Sequence, residues 1–169
     1  MRPASQTWLS LGSNLGDRME NLLGGMAYLF DHGLDLLDCS GVYETEPVGV
    51  TEQPLFYNIV VHAATRLEPF VLLDVCQQAE KAQRRERGAR WGPRTLDVDV
   101  LLYNEVRMDL PELTIPHPRM RERAFVLGPL EDIDPEVLRR WDFPVLREGI
   151  VLQIPAADVK MGLAERRRR

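Results

Sequence analysis

The feature that most constrains the fold is the order in which hydrophobic period changes along the chain. Thr7–Leu11 is a short β-prone run ending at Gly12. After the turn-forming Gly12-Ser13-Asn14-Leu15-Gly16-Asp17, Leu22, Leu23, Met26, Leu29 and Phe30 recur at helical spacing up to Gly33, with Asn14 or Asp17 as the cap. Leu34–Tyr43 and Phe56–Thr65 read as strands around a loop at Glu44–Gly49. A second helix is expected from Glu68 to about Arg84, then an irregular stretch broken by Gly88, Gly92 and Pro93, then a strand at Leu96–Tyr103. The sequence predicts a short edge strand at Val106–Met108 and helices around Arg119–Leu130 and Pro135–Arg140. This βαββαβ order predicts an α+β fold of ferredoxin-like plan: a mostly antiparallel sheet, helices against one face and a C-terminal extension.

The 169 residues suit one domain over 1–169, since domains commonly run to about 100–200 residues. No apolar run approaches the roughly 18 residues that span a bilayer, and the short polar N-terminus lacks a secretory signal, so the expected location is the cytoplasm. Cys39 and Cys76 have no CxxC partner, which predicts buried thiols in a reducing compartment rather than zinc ligands or a disulfide. The net charge of −5 includes the terminal Arg166–Arg169, expected to be a disordered basic tail, and disfavours a general nucleic-acid binder. Basic charge is instead concentrated in Arg84, Arg85, Arg87, Arg90 and Arg94, with Glu86 the acid among them, implying a polyanionic ligand.

The strongest chemical signal follows that cluster, in RWGPRTLDVDVLL. Side chains alternate along a strand, so Asp97 and Asp99 point to one face, about 7 Å apart, while Val98 and Val100 point to the other. Such carboxylates repel unless a positive charge lies between them. Neighbouring arginines are one solution. Magnesium is the other, because it binds through one or two carboxylates plus substrate phosphates. The arginine-rich Gly-Pro stretch upstream favours the metal. No GxxxxGK[ST] loop occurs, which disfavours a P-loop kinase.

At this point the chain resembles the 6-hydroxymethyl-7,8-dihydropterin pyrophosphokinases of folate biosynthesis. RWGPRTLDVDVLLY is similar to the family's signature segment, Gly12–Asp17 to its first loop, Tyr43–Gly49 with Gln53, Pro54 and Asn58 to its pterin-side segment, and Leu113–Arg119 with Arg123-Ala124-Phe125 to a later segment. The resemblance covers about residues 7–135. It implies attack of the pterin hydroxymethyl oxygen on the β-phosphorus of ATP, with AMP released and two Mg2+ held by Asp97 and Asp99. Arg85 and Arg94 take the role of transition-state charge stabilisers. Gln77, Glu80, Arg87, Trp91, Arg94, Val100, His117 and Arg123 fall on the ATP side, and Thr45, Glu46, Val48, Phe56, Asn58, Trp91 and Phe125 on the pterin side. The Gly-Pro stretch is expected to close over the substrates as a lid.

Two departures stand out. Phe56 occupies a position where some members have tyrosine, and Arg84 replaces the glycine usual before the first catalytic-loop arginine. The expected partners are ATP and the pterin alone, with no nucleic acid or membrane, in a monomer or at most a weak dimer. The competing expectation is a ferredoxin-like nucleic-acid-binding or regulatory module without catalysis. That reading calls for an aromatic-rich strand on a basic sheet face where Asp97 and Asp99 stand.

Overall fold

The structure is a computed structural model that describes residues 2–47, 52–84 and 95–169. The chain runs β1 (Ser5–Ser13), α1 (Arg18–Asp31), β2 (Leu34–Cys39), β3 (Val42–Thr45), β4 (Phe56–Thr65), α2 (Pro69–Arg84) and β5 (Asp97–Tyr103). There follow β6 (Met108–Asp109), β7 (Thr114–Ile115), a 3-10 turn (Met120–Glu122), α3 (Ala124–Ile133), α4 (Pro135–Arg140), β8 (Ile150–Ile154) and α5 (Ala156–Arg167).

The main sheet has the order β5-β1-β4-β3-β8, with β2 also paired to β4, and among the described residues its strand pairs are antiparallel. The expected strand Leu34–Tyr43 is thus two strands sharing one partner. They are separated at Ser40-Gly41, where the Ser40 hydroxyl accepts the Val60 N–H. Glycine is required there: a Cβ on Gly41 would lie 2.7 Å from the Ile154 carbonyl and 2.6 Å from the Leu152 side chain. The expected edge strand at Val106–Met108 instead becomes a separate ribbon, β6 paired to β7.

Asp17 is the cap of α1, accepting the Glu20 N–H at 3.0 Å, and the helix stops before Gly33, whose φ of +109° suits glycine. One face of the sheet, bearing Leu9, Leu11, Ile59, Val61, Val98 and Val100, packs against α1, α2 and α5. Each such fully buried aliphatic side chain contributes about 1.5–3 kcal/mol. The opposite face bears Trp8, Val60, Leu101 and Leu102 beneath α3 and α4. Helices therefore cover both faces rather than one, because two successive apolar layers cannot both be buried from a single side.

The C-terminal segment also differs from expectation. Arg166 and Arg167 belong to the last turn of α5 rather than to a disordered tail. They pair with Glu20 and Asp31 of α1, and Lys160 pairs with Asp38 at 2.8 Å. Exposed pairs of this kind add at most about 1 kcal/mol each, so Val159 and Leu163, buried in the core, are the stronger attachment. Arginines expected to form a disordered tail are paired with acids on another helix, which local pattern does not reveal.

Leu163→Ala is expected to cost about 2–4 kcal/mol in urea unfolding, showing that α5 belongs to the core. Both cysteines are buried. Burial pushes the Cys39 thiol up to about 11 and raises that of Cys76 as well. Neither should react with a disulfide reagent at pH 8 until the protein is denatured. Because the folded Cys39 value lies above the ordinary 9.0, its contribution to stability is intact below pH 9 and lost as pH rises through about 11.

Candidate functional site

The half of the second face left uncovered by α3 and α4 forms the site, and strand register builds it. Gly12 of β1 lies opposite Asn58 of β4 on one side and Asp97 of β5 on the other. Asn58 in turn lies opposite Tyr43 of β3, Thr45 opposite Phe56, and Ser10 opposite Asp99. Period-2 alternation then puts Ser10, Gly12, Phe56, Asn58, Asp97 and Asp99 on one surface, with Trp8, Val60 and Leu101 continuing it under the helices. Arg123 and Phe125, at the start of α3, form the remaining wall of a cavity of about 320 Å³ that also includes Thr45 and Glu46.

One end of this cavity is lined by a buried polar pair. The Asn58 Nδ2 donates to the Thr45 hydroxyl at 2.7 Å, and both residues are buried. The amide oxygen of Asn58 faces Gly12, where a Cβ would approach it to 2.9 Å. Phe56 and Phe125 are only half-buried and supply apolar faces.

The other end is electrostatic. Asp99 lies 3.7 Å from the Arg123 guanidinium and 3.9 Å from His117 Nε2. The Arg119 N–H donates to His117 Nδ1 at 3.2 Å, which leaves the ring proton on Nε2, toward Asp99. The His117 N–H donates to the Leu101 carbonyl at 2.9 Å and ties this segment to β5. Burial, the largest influence, pulls the His117 pKa below its ordinary value; Asp99 opposes this, while Arg123 and Arg119 reinforce it.

Asp97 and Asp99 are two hard-oxygen donors on one solvent-reached wall, a set that suits magnesium. Among the described residues no group of three or more His, Cys, Asp or Glu side chains could hold an ion. The donor set therefore fits an ion that takes its other ligands from water and substrate, and not a closed structural site.

Other expected site residues lie elsewhere. Val100 is buried in the core on the opposite face, so its side chain does not reach the cavity. Glu80 of α2 accepts the Val98 N–H at 3.0 Å, fixing the backbone between the two aspartates, and Gln77 is exposed on the same helix; neither lines the cavity. Val48, Arg85, Arg87, Trp91 and Arg94 lie outside the described residues. Ser10 and Gly12 line the cavity without having been expected as site residues. A glycine ending a β-run was a signal available for Gly12, but its register against Asn58 was not. A second cavity, about 750 Å³, adjoins the first through Thr45, Glu46, Arg123 and Phe125 and reaches Glu148–Val151.

The family model of 7,8-dihydro-6-hydroxymethylpterin-pyrophosphokinase (HPPK) matches residues 8–135. The chain belongs to this family. Among HPPK relatives, the Bacillus subtilis 2-amino-4-hydroxy-6-hydroxymethyldihydropteridine pyrophosphokinase is 45% identical over 131 residues, covering 77% of this chain and 78% of that one. The protein of the same description from Pseudomonas aeruginosa is 42% identical over 133 residues, covering 78% and 82%. An Arabidopsis thaliana folate synthesis bifunctional protein is 40% identical over 153 residues, covering 86% of this chain but 32% of that one. Plasmodium falciparum HPPK-DHPS, solved with pteroate, superposes with a TM-score of 0.63 at 16% identity, over 98% of this chain and 43% of that chain. At that identity the likeness shows the α+β fold alone.

Two substitutions test the HPPK cavity. Thr45→Val should leave the buried Asn58 amide without its acceptor and cost about 1–3 kcal/mol in denaturant unfolding. Gly12→Ala should leave the fold intact while displacing Asn58, weakening pterin binding by about tenfold in a fluorescence titration.

Proposed function

We propose that this chain catalyses ATP-dependent transfer of pyrophosphate to the hydroxymethyl group of 6-hydroxymethyl-7,8-dihydropterin, releasing AMP, in folate biosynthesis. The observation that carries the reading is that the buried Asn58–Thr45 pair and the Asp97–Asp99 carboxylates share one cavity wall, with aromatic faces beside them. Membership of the HPPK family and the identity to curated pyrophosphokinases support the same activity. The strand order supports the finer reading of the architecture as ferredoxin-like.

In this reading the pterin lies between Phe56 and Phe125. Its polar edge meets Asn58 and Thr45, and its hydroxymethyl group points toward Asp97 and Asp99. Bound magnesium, expected as two ions on these carboxylates, would neutralise phosphate charge and orient the displacement. The hydroxymethyl oxygen then attacks the β-phosphorus and loses its proton to solvent, the bond from that phosphorus to the oxygen bridging the α-phosphate breaks, and AMP departs with the electron pair. No protein nucleophile is required, because phosphoryl-type transfer depends on positioning and electrostatics.

Arg123 and His117, already oriented toward Asp99, are assigned to the ATP phosphates. By family resemblance Arg85 and Arg94 stabilise transition-state charge, Arg87 contacts phosphate, and Val48 and Trp91 complete the pterin slot. Gln77 and Glu80 are assigned to the nucleotide side, with Glu80 also holding the β5 backbone. A nucleic-acid-binding sheet finds no support, because the open face presents Asp97 and Asp99.

Incubation with ATP, magnesium and the pterin should yield AMP, dependent on both pterin and metal and abolished by EDTA. ADP as the product would refute pyrophosphoryl transfer. Asp97→Ala and Asp99→Ala should each lower turnover by at least about 10²-fold with unfolding curves near wild type. Retention of near-normal turnover by either variant removes that carboxylate from the metal site.

A further inference from the structure

Arg147 lies in the coil before β8, beyond the segment matched by the family model, yet it is bound to two site-bearing elements at once. Its Nη1 donates to the Gly128 carbonyl at 2.9 Å and to Glu131 at 2.9 Å, both on α3. The same nitrogen is 3.0 Å from Asp132 Oδ1, while Nη2 donates to the Tyr43 hydroxyl at 3.1 Å. Tyr43, buried in β3, donates its own hydroxyl to Asp132. One guanidinium thus closes a ring of contacts joining β3, α3 and the approach to β8.

The consequence for the cavity follows from the first turn of α3. Phe125 and the capping Arg123 sit at its start, and Pro129 lies within the helix. Proline has no N–H, so the Phe125 carbonyl lacks its i+4 donor, and this turn is held to the rest of the helix by fewer bonds. Gly128, whose carbonyl Arg147 grips, immediately precedes that weak point. On the strand side Thr45, two residues from Tyr43 and on the same face, holds Asn58.

We infer that Arg147 is a positioning residue for the pterin side of the site, holding the first turn of α3, with Phe125, at a set distance from Thr45 and Asn58. This rests on the function proposed above for the wording of its substrate, but the mechanical coupling does not. Arginine is suited to the task because its planar fork reaches several oxygens simultaneously, whereas lysine offers a point charge.

The test uses the full chain with Arg147→Ala, Arg147→Lys and Tyr43→Phe, and Leu163→Ala as a control destabilised from the opposite face. In Arg147→Ala the KM for hydroxymethyldihydropterin should rise about tenfold while that for ATP stays within about twofold. Arg147→Lys should recover part of the loss, and Tyr43→Phe should produce a smaller rise. Adding Tyr43→Phe to Arg147→Ala should give less than the product of the separate effects, as expected for members of one network. Amide exchange at Val126 and Leu127, whose N–H groups donate to the Arg123 carbonyl, should quicken in Arg147→Ala. A folded Arg147→Ala with wild-type pterin KM would overturn the inference, as would an equal rise in Leu163→Ala. If the wild-type chain itself fails to bind the pterin, the proposed function falls. Exchange at Val126 and Leu127 then still decides whether Arg147 holds the turn, unchanged exchange sinking the coupling.

Discussion

The site depends on the pairing of β1 with two antiparallel neighbours at once. Gly12 lies between Asn58 and Asp97, and this single cross-strand row brings a buried amide and a carboxylate to the lining of one cavity. Because side chains alternate with period two, a one-residue slip of β5 would send Asp97 and Asp99 into the leucine-rich layer under α1 and α2, and bring Val98 and Val100 into the cavity. The cost of burying two carboxylates there makes the alternative register unfavourable. The core and the site therefore enforce the same alignment.

The sheet's two faces divide the work. One is closed by three helices over a continuous apolar layer. The other is closed only where Trp8, Val60, Leu101 and Leu102 call for cover, and is open where Ser10, Gly12, Asn58, Asp97 and Asp99 follow on the same strands. The boundary falls at the start of α3, so Phe125 packs against the core and also, with Arg123, forms part of the cavity wall. The two carboxylates thus stand at the edge of the packed region, on the wall of a cavity open to solvent.

Material beyond the family-matched segment is tied into that scaffold from two directions. β8 extends the sheet beside β3, α5 seals the α1 side through Val159 and Leu163, and Arg147 joins α3 to Tyr43. None of these residues has a motif of its own. Their contribution lies in fixing the separation between elements whose sequences do carry motifs, and it is the longer-range half of preorganisation.

Legibility in the sequence followed the range of the interaction. Local periodicity and turn chemistry were enough for the order β1, α1, β4, α2 and β5, and narrowed the cap of α1 to Asn14 or Asp17, of which the structure selects Asp17. Strand alternation alone placed Asp97 and Asp99 on one face, opposite Val98 and Val100. The resemblance supplied Thr45, Asn58, Phe56 and Phe125, which the fold then brings together. What the sequence did not disclose was decided by contacts between distant segments: the break at Gly41, forced by the approach of β8; the ordering of Arg166 and Arg167 by acids on α1; the entry of Gly12 into the site; and the clamp made by Arg147. A pattern within a strand or helix is set by the residue's own backbone geometry and can be read along the chain. The distance between two elements is set by side chains contributed from several places, and only the folded structure assembles them.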